Sequence, residues 1–184
     1  MFDINLLFNF DLEAIKFFLV TVLINAKDIF LAPLSDFDVF WTLLPVYVSW
    51  IQAEFFVERE KTSYANAFTN GFAMIWASAN WLKYLIDTPS QANDFKLFVS
   101  VLFIIYGISV WINAYLGKKI AVLIGKQVLI SFFIIVFSPY IFGIVDLNLS
   151  NFTSMLLVFF FILFIFSILK RVLPEPKGIV EDGN

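Results

Sequence analysis

Long apolar segments without charged side chains constrain this chain more than any other feature of its sequence. Residues 97–116 and residues 152–169 contain no Asp, Glu, Lys or Arg. A helix rises about 1.5 Å per residue, so roughly 20 apolar residues are needed to cross a hydrocarbon core about 30 Å thick. Both segments have about that length. The chain is therefore predicted to be a polytopic membrane protein.

The composition agrees with this prediction and limits the chemistry. Of the 184 residues, 61% are hydrophobic and 15% are charged. In soluble domains roughly 45–50% of the residues are apolar and about 25% are charged. Cysteine and histidine are absent from the sequence, which excludes disulfides, thiol chemistry and imidazole catalysis or ligation. The net charge of -3 gives no reason to expect a nucleic-acid partner. We expect no enzyme activity, no catalytic or metal site and no cofactor.

Five transmembrane helices account for most of the apolar segments. They are predicted over residues 39–56, 64–86, 97–116, 121–145 and 152–169. Residues 173–184, rich in Pro and Gly, are predicted to be a short solvated tail. The expected fold class is an all-α integral membrane protein with a bundle of about five transmembrane helices, in a single membrane domain over residues 1–172.

Residues 11–32 have the pattern of an N-terminal amphipathic helix that lies in the membrane interface. One arc of this helix is polar and carries Glu13, Lys16, Thr21, Lys27 and Asp28. The charge-free part, residues 17–26, is too short to cross the bilayer. The alternative is a tilted span whose lysines extend outward to the headgroups. Pro33 is expected to end this helix, and Ser35 to cap the next one.

The placement of Lys and Arg predicts the orientation. Given five spans, one side of the membrane holds Lys118, Lys119, Lys126, Lys170 and Arg171. Cytoplasmic loops carry an excess of Lys and Arg. We therefore expect a multi-pass protein of the cell membrane with a cytoplasmic C-terminus. The N-terminus then lies outside with five spans and inside with six.

A polar stripe on the second predicted span is the sharpest candidate for function. Its members recur at intervals of three and four residues: Asn66, Asn70, Ala73, Ala77, Asn80 and Tyr84. Residues with this spacing share one face of a helix. Polar groups on neighbouring spans could meet it, and these are Ser49, Gln52, Tyr106, Ser109 and Asn113. An amide without a partner costs several kcal/mol in an apolar medium, so the stripe must face protein or water.

Two functions fit such a stripe. In the first, which we favour, the polar groups hydrogen-bond between helices, and the protein is a non-enzymatic scaffold or structural subunit of a membrane assembly. In the second, the same groups line a route for an ion or small solute, and the protein is a small channel or transporter component. Both functions imply the lipid bilayer as surroundings, and a homo-oligomer or other membrane subunits as partners.

Glu54 and Glu58 are a second candidate, because they lie one helical turn apart. Paired carboxylates can share a proton or bind a cation. The simpler interpretation, which we favour, is a charged cluster at the membrane interface, since Glu54 lies only about 6 Å from the turn that follows the helix.

Two glycosylation sequons begin at Asn148 and Asn151, on a loop predicted to face outward. A three-residue motif this close to the membrane is weak evidence for a glycan.

Overall fold

The computed structural model describes residues 12–55 and 64–172. Its helices are α1 (Leu12–Ser35), α2 (Phe37–Phe55), α3 (Tyr64–Asp87), α4 (Asp94–Tyr115), α5 (Lys119–Ile124), α6 (Gln127–Ile141) and α7 (Leu149–Val172). A single 3-10 turn, Pro89–Gln91, lies between α3 and α4. These ranges contain no strand, which confirms the all-α class.

Three helical segments are long and apolar enough to cross a membrane. They are Glu13–Ser35, Asp94–Tyr115 and Leu149–Leu169. The helix α6 is also apolar but shorter, at 15 residues. These lengths support the prediction of a membrane protein. The total of five spans and the interfacial position of α1 stay predictions.

The helix α3 is central, because it packs against α2, α4, α5 and α6. Its contact with α4 is especially close at Gly71 and Gly107. A Cβ atom added to Gly71 would lie 2.8 Å from the backbone nitrogen of Trp111, and one added to Gly107 would lie 2.9 Å from that of Ile75. Small residues allow helix backbones to approach in this way in membrane proteins. The two glycines therefore set the spacing between α3 and α4.

The core lies around α3 and α6, and large apolar side chains also cover the outside. Met74, Trp81 and Ile134 are fully buried. By contrast, many apolar side chains on α7 are exposed, including Phe160 and Phe164. An outer surface of this kind suits lipid rather than water.

The segment predicted as one span over residues 121–145 is divided in the structure. The helix α5 ends at Ile124, and α6 begins at Gln127. Gly125 lies in the break, where an added Cβ would be 2.7 Å from the carbonyl oxygen of Ala121 and 2.8 Å from the Cβ of Ala67. Only glycine fits this approach, and glycine also favours the end of a helix.

The junction of α1 and α2 lies slightly later than expected. The helix α1 continues through Pro33 to Ser35. The cap of α2 is Asp36, whose carboxylate accepts hydrogen bonds from the backbone N–H groups of Asp38 at 2.8 Å and Val39 at 3.3 Å. Both Ser and Asp can cap a helix, so the sequence does not decide between Ser35 and Asp36, and the geometry does.

The helix α1 packs against α7 through polar contacts near the start of α7. Ser154 donates a hydrogen bond to the backbone carbonyl of Val22 at 3.0 Å, and the amide of Asn25 donates to that of Asn151. Asn151 also donates to the carbonyl of Asp146 at 2.8 Å. Of the two sequon asparagines, Asn151 is therefore buried and engaged within the fold, while Asn148 is exposed.

Candidate functional site

The break between α5 and α6 is held by two side chains from other helices. Asn70 on α3 is buried, and its amide donates to the carbonyl oxygen of Gly125 at 2.7 Å. Tyr106 on α4 donates its hydroxyl to the carbonyl oxygen of Ile124 at 2.6 Å. The last carbonyls of a helix have no partner within it, and unsatisfied backbone groups are costly in a bilayer. Asn70 and Tyr106 thus supply the hydrogen bonds that the break requires.

Gln127, the first residue of α6, completes this arrangement from the other side of the break. Its side-chain amide donates to the hydroxyl of Ser49 on α2 at 2.8 Å and to that of Ser131 at 3.1 Å. Ser49 in turn donates to the carbonyl of Val46 at 3.0 Å. Ser49 was expected to meet the polar stripe, and in the structure it meets Gln127 instead. Gln127 was not among the predicted site residues, because an isolated glycine such as Gly125 does not by itself indicate a helix end.

At the opposite end of α6, α3 again supplies the contacts. Tyr84 donates its hydroxyl to the carbonyl of Phe142, the C-cap residue of α6, at 3.0 Å. One turn earlier, the indole of Trp81 donates to the hydroxyl of Ser138 at 3.0 Å. The polar stripe therefore binds both ends of α6, with Asn70 at the break before its start and Tyr84 at its end.

The other predicted site residues make local contacts. Asn80 donates to the carbonyl of Trp76 on its own helix at 2.9 Å, and Asn113 donates to that of Ser109 at 2.7 Å. The Asn113 bond is exposed on α4. Asn66 lies half-buried in the first turn of α3.

The remaining predicted residues lie at the end of α2 and in the turn that follows it. Gln52 and Glu54 belong to the part of α2 where the structure describes only the backbone, and Glu58 lies outside the described residues. The proposed carboxylate pair therefore stays a prediction.

A small polar cavity lies between the start of α2 and the end of α3. Its volume is about 40 Å³, and it is lined by Asp38, Thr42, Asn80, Lys83, Tyr84, Asp87 and Thr88. Lys83 forms an ion pair with Asp87 at 3.1 Å. Thr42 is fully buried, and its hydroxyl has no hydrogen-bond partner among the described residues. A cavity of this size and polarity has room for ordered water.

The middle of the polar stripe separates this cavity from the break. Ala73 and Ala77 are buried in the packed interior, and Met74 between them is fully buried. The stripe therefore consists of two polar ends joined by a tightly packed apolar section.

The chemical capacity of the site is hydrogen bonding. Within the described ranges, no group of three or more acidic side chains is placed to hold a metal ion. Comparisons of the chain with protein-family models, with curated proteins and with solved structures find no match.

Proposed function

We propose that this protein is a non-enzymatic structural subunit of a membrane assembly, in which the polar stripe joins the helices. The observation that carries the proposal is the bond from Asn70 to the carbonyl of Gly125. In a conduit, Asn70 would line the water path. In the structure its side chain is buried, and its amide donates to a backbone carbonyl. Tyr84 and Tyr106 are used in the same way. Polar contacts of this kind are a usual means of holding transmembrane helices together.

The surface of α4 offers a place for a partner. Ser109 is exposed there, and the adjacent bond from Asn113 is exposed as well. Polar groups on the outside of a helix of membrane-spanning length are costly against lipid and favourable against another protein. We place the contact with a second copy, or with another membrane subunit, on this face of α4.

The proposed topology has five spans, an interfacial α1 and a cytoplasmic C-terminus in the cell membrane. The exposed charges of α1 support its interfacial position. Lys27 and Asp28 are exposed, as an interfacial helix requires.

A channel or transporter component is the second candidate function. The polar cavity around Thr42 favours it, because it is a polar space of about 40 Å³ beside Asn80 and Tyr84. A solute route along the stripe would have to continue from this cavity past the buried alanines Ala73 and Ala77. A route between protomers or with partner proteins would avoid that obstacle.

Substitution of Asn70 by Leu tests the proposal. The change removes the donor to Gly125 and leaves a buried carbonyl without a partner. We expect a loss of stability on the order of 1–2 kcal/mol, measured as a lower Tm of the detergent-solubilised protein. Asn80→Leu is the matched control, because among the described residues the amide of Asn80 bonds within its own helix, and this change should lower the Tm less.

Flux measured on the same preparations separates the two functions. Under the structural proposal, any ion or solute flux into proteoliposomes falls only in proportion to the folded protein that is lost. Unchanged Tm with a reduced flux per folded molecule in Asn70→Leu would overturn the proposal and favour the channel.

A further inference from the structure

An apolar groove opens on the surface between α5, α6 and α7. Its volume is about 450 Å³, and its walls include Leu123, Leu129, Phe132 and Phe159. Volumes between about 300 and 1,000 Å³ are typical of ligand sites. Behind the wall, the carbonyl of Ile124 is already bonded to Tyr106. The groove therefore presents hydrocarbon surface of a size suited to an elongated apolar ligand.

One charged residue, Lys126, lines this groove. It lies in the break immediately before α6, and its side chain is exposed. Its ammonium group forms no ion pair with any side chain that the structure describes. Lys118 and Lys119, a few residues earlier, add positive charge at the start of α5. Among the side chains that the structure describes, the cation at the edge of the groove thus has no counter-charge.

We propose that this groove binds an anionic phospholipid, with an acyl chain against Phe132 and Phe159 and the phosphate-bearing headgroup at Lys126. The surrounding bilayer is as apolar as the groove, so the hydrophobic effect does not favour one location over the other. Close packing against the groove retains the acyl chain of the lipid, and the charge of Lys126 selects the anionic headgroup. The proposal requires only that the chain resides in a bilayer and is independent of the structural role proposed above.

A second groove on the same molecule provides an internal comparison. It has a volume of about 510 Å³ and lies between α4, α6 and α7, where Phe95, Tyr140 and Phe152 contribute to its walls. No charged side chain lines it. Lys96 lies behind its wall, 5.0 Å from the centre of the Tyr140 ring, but is buried and donates to the carbonyl of Ile141. We therefore expect this groove to accept acyl chains without preference for the headgroup, so any preference for anionic lipid should depend on Lys126.

The experiment titrates dioleoylphosphatidylglycerol or dioleoylphosphatidylcholine into the detergent-solubilised full chain and counts bound lipids by native mass spectrometry. The unmodified protein should bind one phosphatidylglycerol about fivefold more tightly than phosphatidylcholine, the effect of one lysine near an anionic headgroup. Lys126→Gln should make the two affinities equal. Lys119→Gln, which removes a nearby charge outside the groove, should retain most of the preference.

Occlusion of the groove tests the position of the acyl chain. Val128 lines the groove and is exposed, so Val128→Trp should abolish the anionic preference while Lys126 remains. Leu123→Trp provides a second occluding variant if the first does not fold. The proposal is overturned by equal affinities in the unmodified protein. It also fails if Lys119→Gln matches Lys126→Gln, or if a folded occluded variant keeps the preference.

Discussion

At the scale of single residues, the polar side chains of this protein act mainly on backbone carbonyls. Asn70, Tyr84 and Tyr106 each donate to a carbonyl at or near the end of a helix. Such carbonyls lack partners within the helix, and the cost of leaving them unsatisfied is highest in an apolar medium. These three side chains therefore act where helices end, whereas Gln127 and Asn25 bond to other polar side chains.

Thr42 and Ser150 are exceptions, since neither hydroxyl has a partner among the described residues, and Thr42 gives a residue-scale prediction. Its buried hydroxyl borders the polar cavity without a partner among the described side chains and backbone. Because that cavity has room for ordered water, we expect the hydroxyl to be hydrated. Thr42→Val, which keeps the shape and removes the hydroxyl, should then lower the stability by about 1 kcal/mol. Thr42→Ser should lower it less, and an unchanged Tm in Thr42→Val would show that the hydroxyl has no bound partner.

At the scale of helices, the apolar pattern of the sequence predicted where helices lie better than it predicted which side chains contact each other. Helix α4 coincides closely with the predicted segment 97–116, because charge-poor length and polar flanks are local signals. The division at Gly125 was not predicted, since glycine is common within transmembrane helices and does not by itself indicate a break. The partners of Ser49 and Asn70 were not predicted either. They lie 78 and 55 residues away in the sequence, and only the folded arrangement brings them together.

The close contact of α3 and α4 gives the prediction at this scale. Gly71→Ala places a methyl group 2.8 Å from the backbone of Trp111, so one helix must move. We expect a loss of about 1–3 kcal/mol, although alanine itself favours a helix by about 1 kcal/mol over glycine. Ala79→Leu on the exposed side of α3 is the control and should leave the Tm nearly unchanged. A Tm for Gly71→Ala at or above that of the unmodified protein would contradict the close approach.

At the scale of the whole molecule, the described acids and bases are distributed unequally. The end with the polar cavity and the α6–α7 turn contains Asp38, Asp87 and Asp146, together with Lys83, which is paired with Asp87, and Lys96, which donates to the carbonyl of Ile141. The opposite end of the bundle, around the α5–α6 break, contains Lys118, Lys119 and Lys126. This separation is the basis of the proposed orientation, in which the basic end is cytoplasmic.

Fusion of a reporter to each end tests this orientation. A reporter after Asn184 should be cytoplasmic, and a tag before Met1 should be on the outer side, because α1 is expected to lie in the interface. Protease or impermeant-label access in intact cells measures both. Two cytoplasmic ends would mean that α1 crosses the membrane and that the protein has six spans. Labelling of the C-terminal reporter from outside would reverse the orientation.

The break between α5 and α6 also has a consequence for biosynthesis. The carbonyls of Ile124 and Gly125 receive their hydrogen bonds from Tyr106 and Asn70, both of which precede them in the chain. Because a ribosome delivers the N-terminal part first, in the proposed topology α3 and α4 are already available when residues 119–141 enter the bilayer. The carbonyls of Ile124 and Gly125 can then replace their hydrogen bonds to water with hydrogen bonds to Tyr106 and Asn70, without being exposed unpaired to lipid. The order of synthesis thus allows an interrupted helix to insert, and the same segment produced alone would lack both donors.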